Sequence, residues 1–123
     1  MDDLWPSNIA DAKLVTPVSI LKEQAALLGE KTKQLVKGEV STEASGDEFD
    51  HGFYIVAPTL NYRYKLFNVA HGVSFYPLTI NWRADPLPHK LPDEQSFKDM
   101  LKRIFGAKST LDVVHSILAQ VRS

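Results

Sequence analysis

With 123 residues, 44% apolar and 24% charged, and a formal net charge of −1, the chain has the length and balance of one folded domain able to bury its own core. The absence of cysteine excludes disulfides, thiolate zinc sites and thiol catalysis, and it suits a reducing cytoplasm. The near-neutral charge gives no basic footprint for duplex nucleic acid, no apolar run could span a bilayer, and Met1-Asp2-Asp3-Leu4-Trp5-Pro6 lacks the basic and apolar regions of a signal peptide.

Residues 1–15 read as an irregular lead-in to a single α+β domain over 1–123. Thr16-Pro17 is a helix start, with a capping hydroxyl followed by proline at the first helical position. Val18, Leu21, Ala25, Leu28, Thr32 and Leu35 then recur at helical spacing, which predicts a helix to about Lys37 with Gly38 as its C-terminal cap. Glu39 to Ala44 alternates like a polar edge strand, and Ser45-Gly46-Asp47-Glu48 turns the chain into its centre.

That centre is three β-patterned runs, Phe49 to Ala57, Tyr62 to Ala70 and Val73 to Trp82, dense in Phe, Tyr, Ile and Val. A four-residue loop at Pro58 to Asn61 sets Ala57 opposite Tyr62, Ile55 opposite Tyr64, Phe53 opposite Leu66 and His51 opposite Asn68. A two-residue turn at His71-Gly72 sets Ala70 opposite Val73, Asn68 opposite Phe75, Phe67 opposite Tyr76, Lys65 opposite Leu78 and Arg63 opposite Ile80. In this register both faces of the sheet are apolar and both need cover. Pro77 cannot donate to a ladder, so the third run is an edge strand or carries a bulge.

Arg83 to Pro92, with prolines at 86, 88 and 92, reads as a crossing connection that is neither strand nor helix. Asp93 caps a helix over Glu94 to Phe105, stopped by Gly106, and Ser109-Thr110-Leu111-Asp112 resembles a capping box opening a last helix to about Val121. The expected order is αββββαα: an N-terminal helix, a four-stranded antiparallel meander and two C-terminal helices. The first helix is assigned to one sheet face and the C-terminal pair to the other, with a homodimer covering one face as the rival arrangement.

For chemistry, Asp47, Glu48, Asp50 and His51 form the one acidic cluster with a histidine, but the pleat sends Asp50 and His51 to opposite faces. A charged turn therefore outweighs a metal site. His51 and Asn68 share a face and are expected to satisfy each other. His71 is taken as a turn residue, His89 lies between prolines, and His115 sits on the flank of the last helix. No G-x-S-x-G, H-E-x-x-H or glycine-rich phosphate loop is present, so no catalytic, metal or cofactor site is assigned.

The leading functional expectation is a cytoplasmic, non-catalytic interaction module, homodimeric or bound to another protein, using Tyr62, Tyr64, Arg63, Lys65, Tyr76 and Trp82. The alternative is a small-molecule or enzymatic pocket between sheet and first helix, lined by His51, Asn68, Phe53 and Phe75 together with Tyr64. Single-stranded nucleic-acid binding through Arg63, Lys65 and Arg83 is a third, disfavoured because alternation separates the two basic residues at 63 and 65 from Tyr62 and Tyr64.

Overall fold

The computed structural model describes residues 2–123. Residues 2–15 form no helix or strand and are exposed throughout, with one local turn closed by Ile9 N–H to Pro6 O and Asp11 N–H to Asn8 O. Helix α1, Pro17–Lys31, opens on a full capping box: Ser19 N–H donates to Thr16 Oγ1 at 3.0 Å, and Thr16 N–H donates to Ser19 Oγ at 3.1 Å. It ends well before Lys37. Thr32 caps it, and Lys33 and Gln34 take φ of 53° and 65°, which no helix accommodates.

Gly38 is consequently not a cap but the second residue of β1, Lys37–Ser45. A Cβ there would stand 2.5 Å from Ala25 Cα and 3.0 Å from Phe53 Cζ, so the residue is small because α1 crosses directly over it. β1 continues through a tight turn at Gly46, φ 60°, into β2, Glu48–Ala57.

A single 3-10 turn, Pro58–Leu60, with Asn61 left-handed at φ 49°, joins β2 to β3, Tyr62–His71. Ala57 pairs with Tyr62 and Ile55 with Tyr64, as the four-residue loop requires. The register then slips at a bulge between Phe53 and Tyr54: Tyr54 faces Lys65 while Phe53 faces Phe67, leaving Leu66 as the extra residue. Phe53 therefore does not meet Leu66, and His51 faces Val69 rather than Asn68.

The expected two-residue turn at His71-Gly72 does not form either. His71 lacks the positive φ such a turn needs and stays in β3, residues 72–77 loop out, and β4, Leu78–Trp82, begins only after Pro77, which cannot donate to a ladder. The pairs are His71 with Leu78, Ala70 with Thr79, Asn68 with Asn81 and Phe67 with Trp82, which replaces all five expected pairings on this side. A short fifth strand, β5, His89–Leu91, lies within the stretch read as irregular; Pro88 and Pro92 bracket it, as they can at a sheet edge.

Helices α2, Glu94–Gly106, and α3, Lys108–Val121, close the chain, giving an α+β fold whose antiparallel sheet runs β1-β2-β3-β4-β5. Asp93 caps α2 reciprocally with Ser96. All three helices lie on one face of the sheet, not on two. Ile20, Leu21 and Ala25 of α1, Phe97, Leu101 and Ile104 of α2 and Ile117 of α3 share one core with Phe53, Ile55, Phe67, Val69, Leu78, Ile80 and Trp82.

The bulge and the long loop bring the large apolar side chains of the runs expected to be apolar on both sides mostly to the inner face, with Tyr54 and Val56 left on the outer one. The outer face carries Glu39, Glu43, Asp50, Arg63, Lys65, Asn68, Asn81 and Lys90, and it meets water. Arg63 bonds Glu39 there at 2.8 Å and lies 4.1 Å from the Tyr54 ring centroid, while Val56, between Lys37 and Arg63 on the ladder, is buried among them.

Candidate functional site around helix α3

The turn from α2 into α3 is fixed by a buried hydroxyl. Thr110 Oγ1 donates to Ile104 O at 2.6 Å, so Thr110 stitches the two helices together and is not part of a capping box. Asp112 instead bonds Lys108 Nζ at 2.8 Å on the surface. The seating of α3 is light: only Thr110 and Ile117 are deeply buried, while Val113, Val114, Leu118 and Val121 remain partly open.

A cleft runs along each side of this helix. The larger, about 620 Å³, lies between α3 and the β2–β3 turn, lined by Leu60, Tyr62 and Tyr64 on one wall and Asp112, Val113, Ser116, Ile117 and Gln120 on the other. Tyr64 is held in place by Arg83, whose guanidinium carbon sits 4.2 Å from the ring centroid. Tyr62 and Leu60 are 45% and 42% exposed. The smaller cleft, about 230 Å³, runs between α1 and α3 over Phe53, Ile55 and Leu66, with Leu27, Leu28, Phe105 and Val114 on its walls and Gln24 and Lys31 among its few polar groups.

Of the residues expected to bind, Tyr62 and Tyr64 thus stand together in the larger cleft. Arg63 and Lys65 point to the outer face, where Arg63 is engaged by Glu39 and Tyr54 and Lys65 edges a shallow depression with Asn81, Trp82 and Arg83. Tyr76 and Trp82 belong to the core: Tyr76 lies 6.4 Å from the Phe97 ring centroid, and Trp82 is buried beneath the helices. The six residues do not form one surface.

The expected pocket residues scatter too. Phe53 lines the smaller cleft, Asn68 donates to Asp50 at 3.3 Å on the outer face, and Phe75 stands edge-on to His71 at 6.0 Å. His51 is buried on the inner face. Its Nδ1 lies 2.9 Å from Thr42 Oγ1 and its Nε2 lies 2.8 Å from Nε2 of His71, whose Nδ1 in turn lies 2.6 Å from Gly72 O. The carbonyl can only accept, so His71 carries its proton on Nδ1; with both rings neutral, His51 Nε2–H donates to His71 and Thr42 O–H donates to His51.

Burial first, then His71 and Lys22, push His51 below the usual imidazole range, and Asp50 opposes them. The chain of bonds can take one added proton by reversing the Thr42 hydroxyl, but a second would set two N–H groups against each other. Neither histidine lines the clefts beside α3, and the bonds from Thr42 through His51 to His71 tie β1, β2 and β3 together at this end of the sheet. Among the described residues, no three His, Asp or Glu side chains converge as a metal site would require, and no helix is long and apolar enough to cross a membrane.

His71 and the α3 wall escaped the sequence reading. His71 was hidden by a loop longer than two residues, whereas on α3 Val113 and Ile117 carry only the weak signal of residues flanking the apolar stripe, and Leu60 on the β2–β3 turn carries none. No protein-family model matches the chain, and no curated protein or solved structure matches it.

Proposed function

We propose that the chain is a non-catalytic interaction module that takes an apolar, aromatic-bearing segment of a protein into the Tyr62–Tyr64 cleft beside α3. The observation that carries the reading is the unfilled volume of about 620 Å³ between two tyrosines and a helix whose apolar stripe is only half covered. Tyrosines bring large contact area with few rotatable bonds, and Ser116 and Gln120 offer hydrogen bonds to a peptide backbone. The cysteine-free composition supports a reducing compartment such as the cytoplasm.

A titration of isotopically labelled protein with synthetic apolar and aromatic peptides tests this. Amide shifts are expected at Tyr62, Tyr64, Val113 and Ile117, with affinity falling about tenfold or more in Tyr62→Ala. Peptides that bind only the outer sheet face, or none that bind at all, overturn the reading.

A second reading rests on the smaller cleft, whose lining is apolar apart from Gln24, Lys31 and Thr110. That composition suits a short aliphatic ligand with its anionic end toward Lys31. At about 230 Å³ it is small beside drug-sized sites, which span roughly 300–1,000 Å³. Displacement of a fluorescent fatty acid, weakened by Lys31→Glu, is the expected signature.

A further inference from the structure

Arg83 brings to the larger cleft a charge that the protein itself leaves unanswered. Its backbone is anchored, with Arg83 N–H donating to Leu66 O at 3.1 Å, and its guanidinium lies against Tyr64, 4.2 Å from the ring centroid. Among the described residues no Asp or Glu pairs with it, whereas Arg63 is taken by Glu39, Lys98 by Glu94 and Lys108 by Asp112. Asp85, just along the chain, is occupied: one oxygen accepts from Leu87 N–H at 3.0 Å and the other lies 2.7 Å from His89 Nε2. Arg83 is exposed, so its charge is open to a partner.

The cleft's own charges do not compete for it. Asp112 is the one acidic residue in the lining, and Lys108 already neutralises it at 2.8 Å. Beyond Arg83, Lys65 edges the shallow depression on the outer face and, among the described residues, is likewise paired with no acid. The wall that carries Tyr64 is therefore a positive rim on an aromatic hollow.

We propose that the segment received by the Tyr62–Tyr64 cleft is acidic as well as aromatic, and that Arg83 takes a carboxylate lying close to its aromatic anchor. The inference rests on the reading that this cleft accepts a protein segment, and it adds the charge which that segment carries.

The geometry of the stack favours this. A guanidinium laid on an aromatic ring keeps the N–H groups at its edge free, and that edge matches a carboxylate through two parallel bonds. Because the ring holds the fork before a partner arrives, less side-chain freedom is lost on binding than with a loose lysine. Spacing follows as well. An extended segment advances about 3.3 Å per residue, so a carboxylate within two residues of an anchor on Tyr64 reaches a group 4.2 Å from that ring.

The test uses short synthetic peptides, each with one tryptophan and either Glu or Gln placed one or two residues to either side of it. They are titrated by calorimetry into the whole chain and into Arg83→Gln, Lys65→Gln and Tyr62→Ala, all checked for folding by circular dichroism. The best-placed Glu peptide is expected to bind about fivefold or more tightly than its Gln counterpart at low salt, with the gap narrowing as salt is added. Arg83→Gln should abolish that preference and leave the Gln peptide's affinity unchanged. If Glu and Gln peptides bind the unaltered chain equally and Tyr62→Ala weakens both, the inference is overturned while the cleft stands as a site for neutral segments. Equal weakening of both peptides in Arg83→Gln overturns it too, by assigning the residue to holding Tyr64. A preference that survives Arg83→Gln and vanishes in Lys65→Gln overturns it by placing the carboxylate on the outer face. No binding by any peptide removes the reading of the cleft together with the inference.

Discussion

His51 and His71 face each other across β2 and β3 with their Nε2 atoms 2.8 Å apart, and neither ring reaches solvent freely. Their shared bond requires one donor and one acceptor, which neutral rings provide and doubly protonated rings do not. Because His51 is held below the 6.5 of a free imidazole, the folded chain binds one added proton less readily than the unfolded chain does. The stabilisation is therefore complete above the unfolded value and is lost as pH falls from there through the lowered folded value. Urea midpoints should stay level from about pH 8 to about pH 7 and fall from there to about pH 5.5, and His51→Gln should flatten that fall. Equal slopes for both proteins would assign the pH response to other groups.

Gly38 against Ala25 gives a sharper structural prediction. The Cβ of Gly38→Ala would be placed 2.5 Å from Ala25 Cα and 2.6 Å from its Cβ, contacts with backbone and a methyl group that cannot rotate aside. Overpacking of this kind costs about 1–3 kcal/mol, so the variant should unfold at lower urea with an unchanged slope. A substitution with no effect would mean that α1 does not press on β1 at Gly38 as closely as the Ala25 contact requires.

Thr32 is where α1 gives way to β1, and its hydroxyl serves both sides of the break. Val36 N–H donates to Thr32 Oγ1 at 3.2 Å, and the hydroxyl rests against the carbonyls of Leu28 and Val36. Thr32→Val keeps the shape and leaves that buried N–H without its acceptor, a loss of about 1–3 kcal/mol. Thr32→Ser, which keeps the hydroxyl, should recover most of it. Equal loss in both variants would point to the missing methyl instead.

The parts of the fold that were legible in the sequence are those decided within a few residues. Thr16-Pro17 and Asp93 start helices because a hydroxyl or carboxylate three residues from a free N–H needs no tertiary help, and the Pro58 to Asn61 loop fixed Ala57 against Tyr62 by length alone. What escaped was decided across the sheet. One extra residue, Leu66, reverses the facing of Phe67 and Val69, and six looped residues at 72–77 shift β4 against β3. Together they moved Tyr76 and Trp82 from the expected surface into the core, brought His71 to His51, and left Asn68 outside. Tyr62 and Tyr64 kept their shared face because they lie on the turn side of the bulge, where the register held. The opposite wall of their cleft comes from α3, and nothing local in Val113 or Ile117 says which strand they will face.

Tyr76 was expected at a contact surface and instead directs its hydroxyl inward. The oxygen is buried without a protein partner, and burial, with Glu94 and Asp93 nearby, pushes its ionisation up to about 12, so the group stays a neutral phenol that must be desolvated on folding. Leaving a buried polar group unpaired costs about 1–3 kcal/mol, whereas its ring contact with Phe97 survives in phenylalanine. Tyr76→Phe should accordingly match or exceed the parent in stability, by up to about 1 kcal/mol, and raise the thermal midpoint by a few degrees at most. Peptide binding and oligomeric state should not change, because the residue is remote from the Tyr62–Tyr64 cleft. Calorimetry on the two proteins decides the matter: a variant less stable by more than about 1 kcal/mol would mean that the hydroxyl is satisfied in solution and that this end of the sheet is more hydrated than its packing implies.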